Sequence, residues 1–330
     1  MATLFDNHGR KLSYLRMAVT DRCNLRCFYC MPEEGIRYLP KKDLLTNQEI
    51  LRLVGILSGF GISKVRLTGG EPFVRPDIMP LIRSLVEIPG IRDVHLTTNG
   101  VLTAPHIAEL SKLNIAGVNL SLDTLDRDRF RAITHRDEFQ NVMRTLHALL
   151  ESSIPVKINA VVMDGKNTDE IISLVELGRN NPVDIRFIEE MPFNGEGSHY
   201  NRLEWTHVRI LDHIRAHYPG LAKIHDPEFA TASGYRVPGF AGTLGVIAAF
   251  SRTFCGTCNR IRVTAQGTLK TCLYDAGVLD VRALLRQSAD DALVSDRLLQ
   301  AFLSRPKDGF EAEASRQSNP VSESMSTIGG

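Results

Sequence analysis

The chain has 330 residues, enough for two domains or for one barrel with an appendage. Its formal charge is +1, with 23% charged and 43% hydrophobic residues. That balance excludes a disordered chain and gives no electrostatic case for a nucleic-acid-coating protein. The apolar stretch 242–250 is far too short to span a membrane, and the first residues lack the basic-then-apolar pattern of a secretory signal. A cytoplasmic location with no membrane partner is therefore expected, and there six cysteines stay reduced, as ligands or nucleophiles rather than disulfides.

In chain order, apolar or β-branched runs predict strands at 14–20, 64–68, 93–98, 117–122, 156–162 and 184–188. Helical periodicity falls between them, at 48–57, 78–86, 105–113, 139–150 and 170–177. The alternation predicts a parallel sheet with right-handed crossovers, an α/β fold of the open, partial (βα)6 TIM-like barrel type. Two further strands are read at 235–237 and 244–250, in a C-terminal region that closes the open side of the barrel. The boundary is placed at about residue 220, giving units 1–220 and 221–330.

The cysteines form two triplets. Cys23, Cys27 and Cys30 read C-x3-C-x2-C, directly after the first strand; Cys255, Cys258 and Cys272 read C-x2-C-x13-C. Structural zinc and a four-iron cluster both normally take four protein ligands, and each group here supplies three. Three thiolates on a cluster leave one iron free to bind a small molecule. Zinc with one outside ligand remains open for the second group. Phe28 and Tyr29, inside the first loop, can shield one side of a cluster.

Strand ends carry the polar groups: Thr20-Asp21-Arg22, Thr68-Gly69-Gly70-Glu71-Pro72, Thr97-Thr98-Asn99-Gly100, Ser121-Leu122-Asp123, Asn159 and Glu189-Glu190-Met191. In β/α barrels this end is the reactive one, although Asn99 or Asp123 could each serve only as a turn or helix cap. Gly69-Gly70 matches neither phosphate-loop spacing. The pair is read as letting a ligand approach the backbone, with a free strand edge for an amino-acid-like group. No Ser-His-Asp apparatus or paired-histidine zinc motif is present.

Together, the first triplet, the Gly-Gly-Glu-Pro turn, Arg66-Leu67-Thr68, Asn119-Leu120-Ser121, Arg186-Phe187-Ile188-Glu189, the second triplet with Asn259-Arg260-Ile261-Arg262, and the terminal Ile328-Gly329-Gly330 resemble the radical S-adenosylmethionine superfamily. Within it, they are most similar to the branch that cyclises GTP in molybdenum-cofactor biosynthesis. The resemblance covers residues 12–330, loosely over 307–326. It implies two [4Fe–4S] clusters, on Cys23, Cys27 and Cys30 and on Cys255, Cys258 and Cys272, with S-adenosylmethionine held by Tyr29, Gly70, Ser121 and Met191. It places GTP against Arg16, Arg66, Thr97, Lys157, Arg260, Ile261 and Arg262. It gives Arg260, Arg262, Gly329 and Gly330 catalytic roles, the last two in a tail reaching into the active site. By base rate alone that tail would be a frayed terminus. For Arg16 and Lys157 the plain rival is a surface salt bridge.

The implied reaction takes the ribose 3′ hydrogen of GTP with a 5′-deoxyadenosyl radical, joins C3′ to C8 and quenches the resulting radical with one electron and one proton, giving (8S)-3′,8-cyclo-7,8-dihydroguanosine 5′-triphosphate. The implied partners are a flavodoxin- or ferredoxin-type reductant, a downstream cyclic pyranopterin monophosphate synthase and a second copy in a homodimer. The alternatives are a two-cluster radical enzyme modifying peptides, an iron–sulfur electron carrier, and a zinc-stabilised binding module.

Overall fold

The computed structural model describes residues 3–32, 34–193, 203–316 and 323–329. Six βα repeats come first. Strands β1 (Tyr14–Ala18), β2 (Lys64–Thr68), β3 (Asp93–Thr98), β4 (Gly117–Ser121), β5 (Val156–Val162) and β6 (Asp184–Glu189) alternate with helices. These are α1 (Asn47–Gly59), α2 (Ile78–Val86), α3 (Ile107–Lys112), α4 (Arg127–Thr134), α5 (Phe139–Leu150) and α6 (Ile171–Glu176), followed by α7 (His207–His217). Local chemistry sets the boundaries. Thr46 and Glu49 form a reciprocal capping box at the start of α1, and Asp126 caps α4 through the Arg129 N–H. Helix α4 is an element that the periodicity reading missed: its short charged sequence, RDRFRAIT, hides a narrow apolar face of Phe130 and Ile133.

Along each strand the side chains alternate. Leu15, Met17, Val65, Leu67, Val94 and Leu96 point outward under the helices and are buried in the main core. Tyr14, Arg16, Lys64, Arg66 and Lys157, at the alternate positions, point inward and line a cavity. A closed eight-fold barrel fills its interior with branched apolar side chains; here the interior is polar and open.

The C-terminal region adds β7 (Ala222–Lys223), β8 (Ser233–Arg236), β9 (Thr243–Ile247), β10 (Arg260–Val263), β11 (Thr268–Lys270) and β12 (Leu279–Asp280). The sheet runs β12-β11-β10-β1-β2-β3-β4-β5-β6-β9-β8-β7. The six-unit partial barrel is thus present, and the C-terminal region extends it at both edges. Strand β10 pairs in parallel with β1, Tyr14 opposite Arg260 and Arg16 opposite Arg262. Strand β9 pairs in parallel with β6, Arg186 opposite Gly245. Helices α8 (Val281–Gln287), α9 (Asp291–Phe302), α10 (Gly309–Ala314) and α11 (Met325–Ile328) complete the chain. No described helix is long and apolar enough to cross a membrane.

The C-terminal tail is docked through residues 323–329. Met325 N–H donates to the Phe193 and Cys30 carbonyls at 3.0 and 3.2 Å, and the Ser324 hydroxyl donates to Cys30 O at 2.7 Å. Ile328 packs with Phe193, Tyr274 and Ala312 in a small second core, against Met191 and Cys272. The frayed terminus expected from base rate is therefore replaced by a packed segment. Gly330 lies outside the described residues.

Candidate functional site

A single cavity of about 910 Å³ is lined by cysteines of both triplets. The first triplet follows the C-terminal end of β1. The second flanks the opposite end: Cys255 and Cys258 precede β10, and Cys272 follows antiparallel β11, whose Lys270 faces Arg262. Residues 225 positions apart in the chain are thus joined by one barrel interior, its β10 edge supplied by the C-terminal region.

All six cysteines are free and half-buried. In the first triplet, Cys23 Sγ accepts from the Leu25 N–H at 3.4 Å and from Asn99 Nδ2 at 3.6 Å. Burial pushes the Cys23 thiol up to about 11 and the Cys30 thiol up to about 12. Burial, the Asp123 carboxylate and the neighbouring thiolates push Cys27 up as well. Three buried thiols that repel one another when ionised need positive charge in their midst, which is the donor chemistry of an iron–sulfur cluster. Among the described residues no three His, Cys, Asp or Glu side chains close on a single metal ion. Each triplet supplies three thiolates where structural zinc takes four protein ligands, a shortfall that a four-iron cluster with one open iron tolerates.

Around this loop, Tyr29, Gly70, Ser121 and Met191 all line the cavity. The Tyr29 hydroxyl donates to Asp123 Oδ2 at 2.7 Å, and Asp123 Oδ1 accepts the Val161 N–H at 2.8 Å. Asp123 is therefore more than a cap; burial raises its carboxyl to about 6 against those two bonds. Glu71 is fully buried, taking hydrogen bonds from Phe73 N, Thr98 Oγ1 and Asn99 N. Burial still pushes it up to about 7. The glycine pair also has a packing reason that the sequence does not report. A Cβ at Gly69 would overlap the Thr20 carbonyl, and one at Gly70 the Arg22 carbonyl. The Gly70 and Glu71 N–H groups donate to those same carbonyls at 2.8 Å. The glycines clamp the cysteine loop to β2, and these two strand-edge donors are already taken.

Deeper in the barrel the lining is cationic. Arg16, Lys64, Arg66, Lys157, Arg186, Arg260 and Arg262 surround the cavity. Lys157 and Arg186 share Asp184, at 2.9 and 2.8 Å. Thus Lys157 has an acidic partner, part-buried inside the barrel rather than on the surface. Buried atoms without a hydrogen-bond partner among the described residues include Arg16 Nε, Arg66 Nε, Thr97 Oγ1, Asn119 Oδ1 and Tyr14 Oη. Such a concentration of orphaned polar atoms is costly unless a polar ligand meets them. Two groups here escaped the sequence reading. Burial pushes the Tyr14 phenol up, but Arg66, Arg16 and Lys64 outweigh it and hold it at about 7. Burial together with Lys64, Arg66, Lys157 and Arg186 pushes His95 down to about 3, so it stays neutral. Sequence alternation could have placed both inside the barrel, but not their neighbours.

Arg262 is buried, and its Nη1 donates to the Gly329 carbonyl at 2.7 Å. Gly329 has φ +79°, and a Cβ there would meet Thr68 Cγ2 at 2.8 Å and Ala18 Cβ at 3.0 Å. Arg260 turns to Cys258 Sγ, with Nε at 3.4 Å and Nη2 at 3.3 Å. The Ile261 side chain does not reach the cavity; it belongs to the main hydrophobic core.

This partial barrel with a cysteine loop after β1 is a radical S-adenosylmethionine architecture: residues 17–178 match the Radical SAM superfamily, and residues 183–311 match Molybdenum Cofactor Synthesis C. Streptococcus suis SuiB bound to S-adenosylmethionine shares the fold at TM-score 0.61, with 16% identity over 91% of this chain and 68% of that one. The GTP 3′,8-cyclase of Pelotomaculum thermopropionicum is 38% identical, over 98% of this chain and 99% of its own length. That of Clostridium perfringens is 39% identical over 92% and 93%. The chain belongs to the GTP 3′,8-cyclase family. Bos taurus Molybdenum cofactor biosynthesis protein 1 is 42% identical over 93% of this chain, which spans 48% of that relative's length.

Proposed function

We propose that this chain converts GTP into (8S)-3′,8-cyclo-7,8-dihydroguanosine 5′-triphosphate, the first step of molybdenum-cofactor biosynthesis. The observation that carries the reading is the single cavity with a cysteine triplet at each end and cations between them, of which Arg16 and Arg66 each keep a buried Nε without a hydrogen-bond partner among the described residues. Cys23, Cys27 and Cys30 would hold the first [4Fe–4S] cluster and Cys255, Cys258 and Cys272 the second. When bound, the clusters and S-adenosylmethionine supply the radical chemistry that removes the ribose 3′ hydrogen and lets C3′ join C8.

The chain's own residues bind, orient and shield. Arg16, Arg66 and Lys157, with Lys64 and Arg186 beside them, meet the triphosphate; guanidinium forks match phosphate oxygens two at a time. Thr97 supplies a free buried hydroxyl for the nucleotide. Arg260, Arg262 and the backbone of Ile261 face the base and sugar from β10. Tyr29, Gly70, Ser121 and Met191 contact S-adenosylmethionine at the mouth. Gly329, held by Arg262, places main chain where a side chain would clash; the catalytic reading of Gly330 falls on a residue outside the described ones. Fixing two reactants in one cavity is the protein's share of the rate enhancement.

The proposal includes a 1–220 radical unit and a 221–330 substrate-cluster unit, acting in the cytoplasm, as a homodimer, with a flavodoxin- or ferredoxin-type reductant. The product passes to a cyclic pyranopterin monophosphate synthase. The peptide-modifying reading is less suited to a barrel whose floor is a cluster of arginines and lysines. Incubating reduced protein and S-adenosylmethionine with GTP or with a peptide separates the two. GTP consumption is expected; cleavage of S-adenosylmethionine with GTP untouched would sink the proposal.

A further inference from the structure

The sulfurs of the two triplets keep different company. Cys23 Sγ accepts from neutral donors, the Leu25 N–H and the Asn99 amide. Cys258 Sγ accepts from two guanidinium groups, Arg260 and Arg305, the latter through Nη2 at 3.0 Å.

Arg305 is outside every motif read from the sequence and outside the cavity lining, and only 3% of its surface is exposed. Its whole fork is engaged. Nε donates to Thr271 O at 2.9 Å, Nη1 to Cys258 O at 2.8 Å and Nη2 to Arg260 O at 3.0 Å. One rigid guanidinium thus ties the residue before Cys272 to both the backbone and the sulfur of Cys258. Its counter-ion is Asp6, buried, whose Oδ2 lies 3.2 Å from Arg305 Nη1 and also accepts from Arg10 Nε at 2.6 Å. Asp6 and Arg305 are 299 positions apart in the chain.

We propose that the Asp6–Arg305 pair sets the reduction potential of the second cluster through the sulfur of Cys258, with Arg305 raising it and Asp6 tempering the rise. Reduction adds negative charge to the cluster and its thiolates, and a buried cation hydrogen-bonded to one thiolate favours the reduced form. Hydrogen bonds to ligand sulfur are among the main levers on such potentials, and a carboxylate behind the donor moderates them. The first triplet has no comparable cation on a sulfur among the described residues, so the effect falls on one cluster. The inference rests on the reading that Cys255, Cys258 and Cys272 hold a cluster; it does not depend on what the substrate is.

The test is a dithionite titration of the full-length, two-cluster protein without GTP, followed by electron paramagnetic resonance. The first cluster is identified as the signal that S-adenosylmethionine changes. Arg305→Gln shifts the second midpoint to lower potential and leaves the first in place. Asp6→Asn shifts the second midpoint the opposite way, to higher potential. Opposite signs are the signature, because a merely structural role would loosen the site in both variants and give no such pairing. Unmoved midpoints, shifts in the same direction, or equal shifts of both clusters would overturn the proposal. If Arg305→Gln loses iron from the second site, Asp6→Asn decides alone: an upward shift supports the pair, an unmoved or lowered one refutes it. Wild-type protein holding a single cluster would overturn this inference and the two-cluster reading together, whereas failure to consume GTP would touch only the proposed reaction.

Discussion

Replacing Gly329 with alanine tests whether the C-terminal tail is part of the site. The residue sits at φ +79° and ψ +99°, a region closed to ordinary L side chains. Strain of that kind costs about 1–3 kcal/mol. The new Cβ also meets Thr68 Cγ2 at 2.8 Å and Ala18 Cβ at 3.0 Å, both short of contact distance. Neither neighbour is the end of a long flexible side chain, so the overlap adds about 1 kcal/mol or more. A total of about 2 kcal/mol or more shifts the docking equilibrium of residues 323–329 by roughly 30-fold, at tenfold per 1.4 kcal/mol. The loss stays local, because the tail packs on the small second core and not on the main one. Hydrogen exchange reads it directly: the Met325 and Gly329 amides, bonded to Phe193 O and Met325 O at 3.0 Å each, lose protection while β2 keeps it. GTP turnover falls in parallel, since Arg262 loses the Gly329 carbonyl. Gly59→Ala, at a position with open space and no positive φ, is the control and leaves the tail protected. Unchanged exchange at 325 and 329 in Gly329→Ala would refute the reasoning.

Three other outcomes follow from the same geometry. Cys27→Ala removes one of three thiolates from the first site; iron content drops by about half, the share of one cluster of two, and S-adenosylmethionine cleavage ceases, so retained cleavage would contradict the assignment. Arg66→Ala removes a charge-assisted contact of about 1.5–3 kcal/mol, raising the KM for GTP by about 10- to 100-fold; an unchanged KM takes Arg66 out of the site. Tyr14 has a folded-state pKa below its unfolded one, so its contribution to stability is present above pH 10 and lost as pH falls through about 7. Melting of ligand-free protein should therefore rise from pH 7 to pH 10 more in the wild type than in Tyr14→Phe; identical profiles would show that the cations do not act on this phenol.

The βα framework was legible because each repeat carries its own signals. Strands at 64–68, 93–98 and 156–162, and helices at 78–86 and 139–150, match their predicted bounds, since alternation and a 3.6-residue period are local properties. The cysteine triplets were legible as spacing. What local pattern could not reveal was how the far ends of the chain return. Strands β9 and β10 join opposite edges of the parallel sheet, a pairing between segments that are distant in the chain from β6 and β1. The role of Gly70 lies in the Arg22 carbonyl packed against it, which no motif reports. Ile328 reads as one of a few apolar residues in a mostly polar tail, and the pocket formed by Phe193, Tyr274 and Ala312 explains its burial. Asp6, Arg305 and Tyr14 were missed for one reason: a charged or phenolic residue acquires its meaning from the groups that face it.

The central claim is that the triplet at one end of the barrel generates a radical that acts on GTP held by the cations toward the other. GTP carrying deuterium at the ribose 3′ position tests it most directly, with reduced protein and S-adenosylmethionine, by mass spectrometry of the 5′-deoxyadenosine formed. The account predicts one deuterium in that product, in step with GTP consumption and lost in the Cys27→Ala protein. Deoxyadenosine without deuterium, formed while GTP is consumed or left intact, would contradict it.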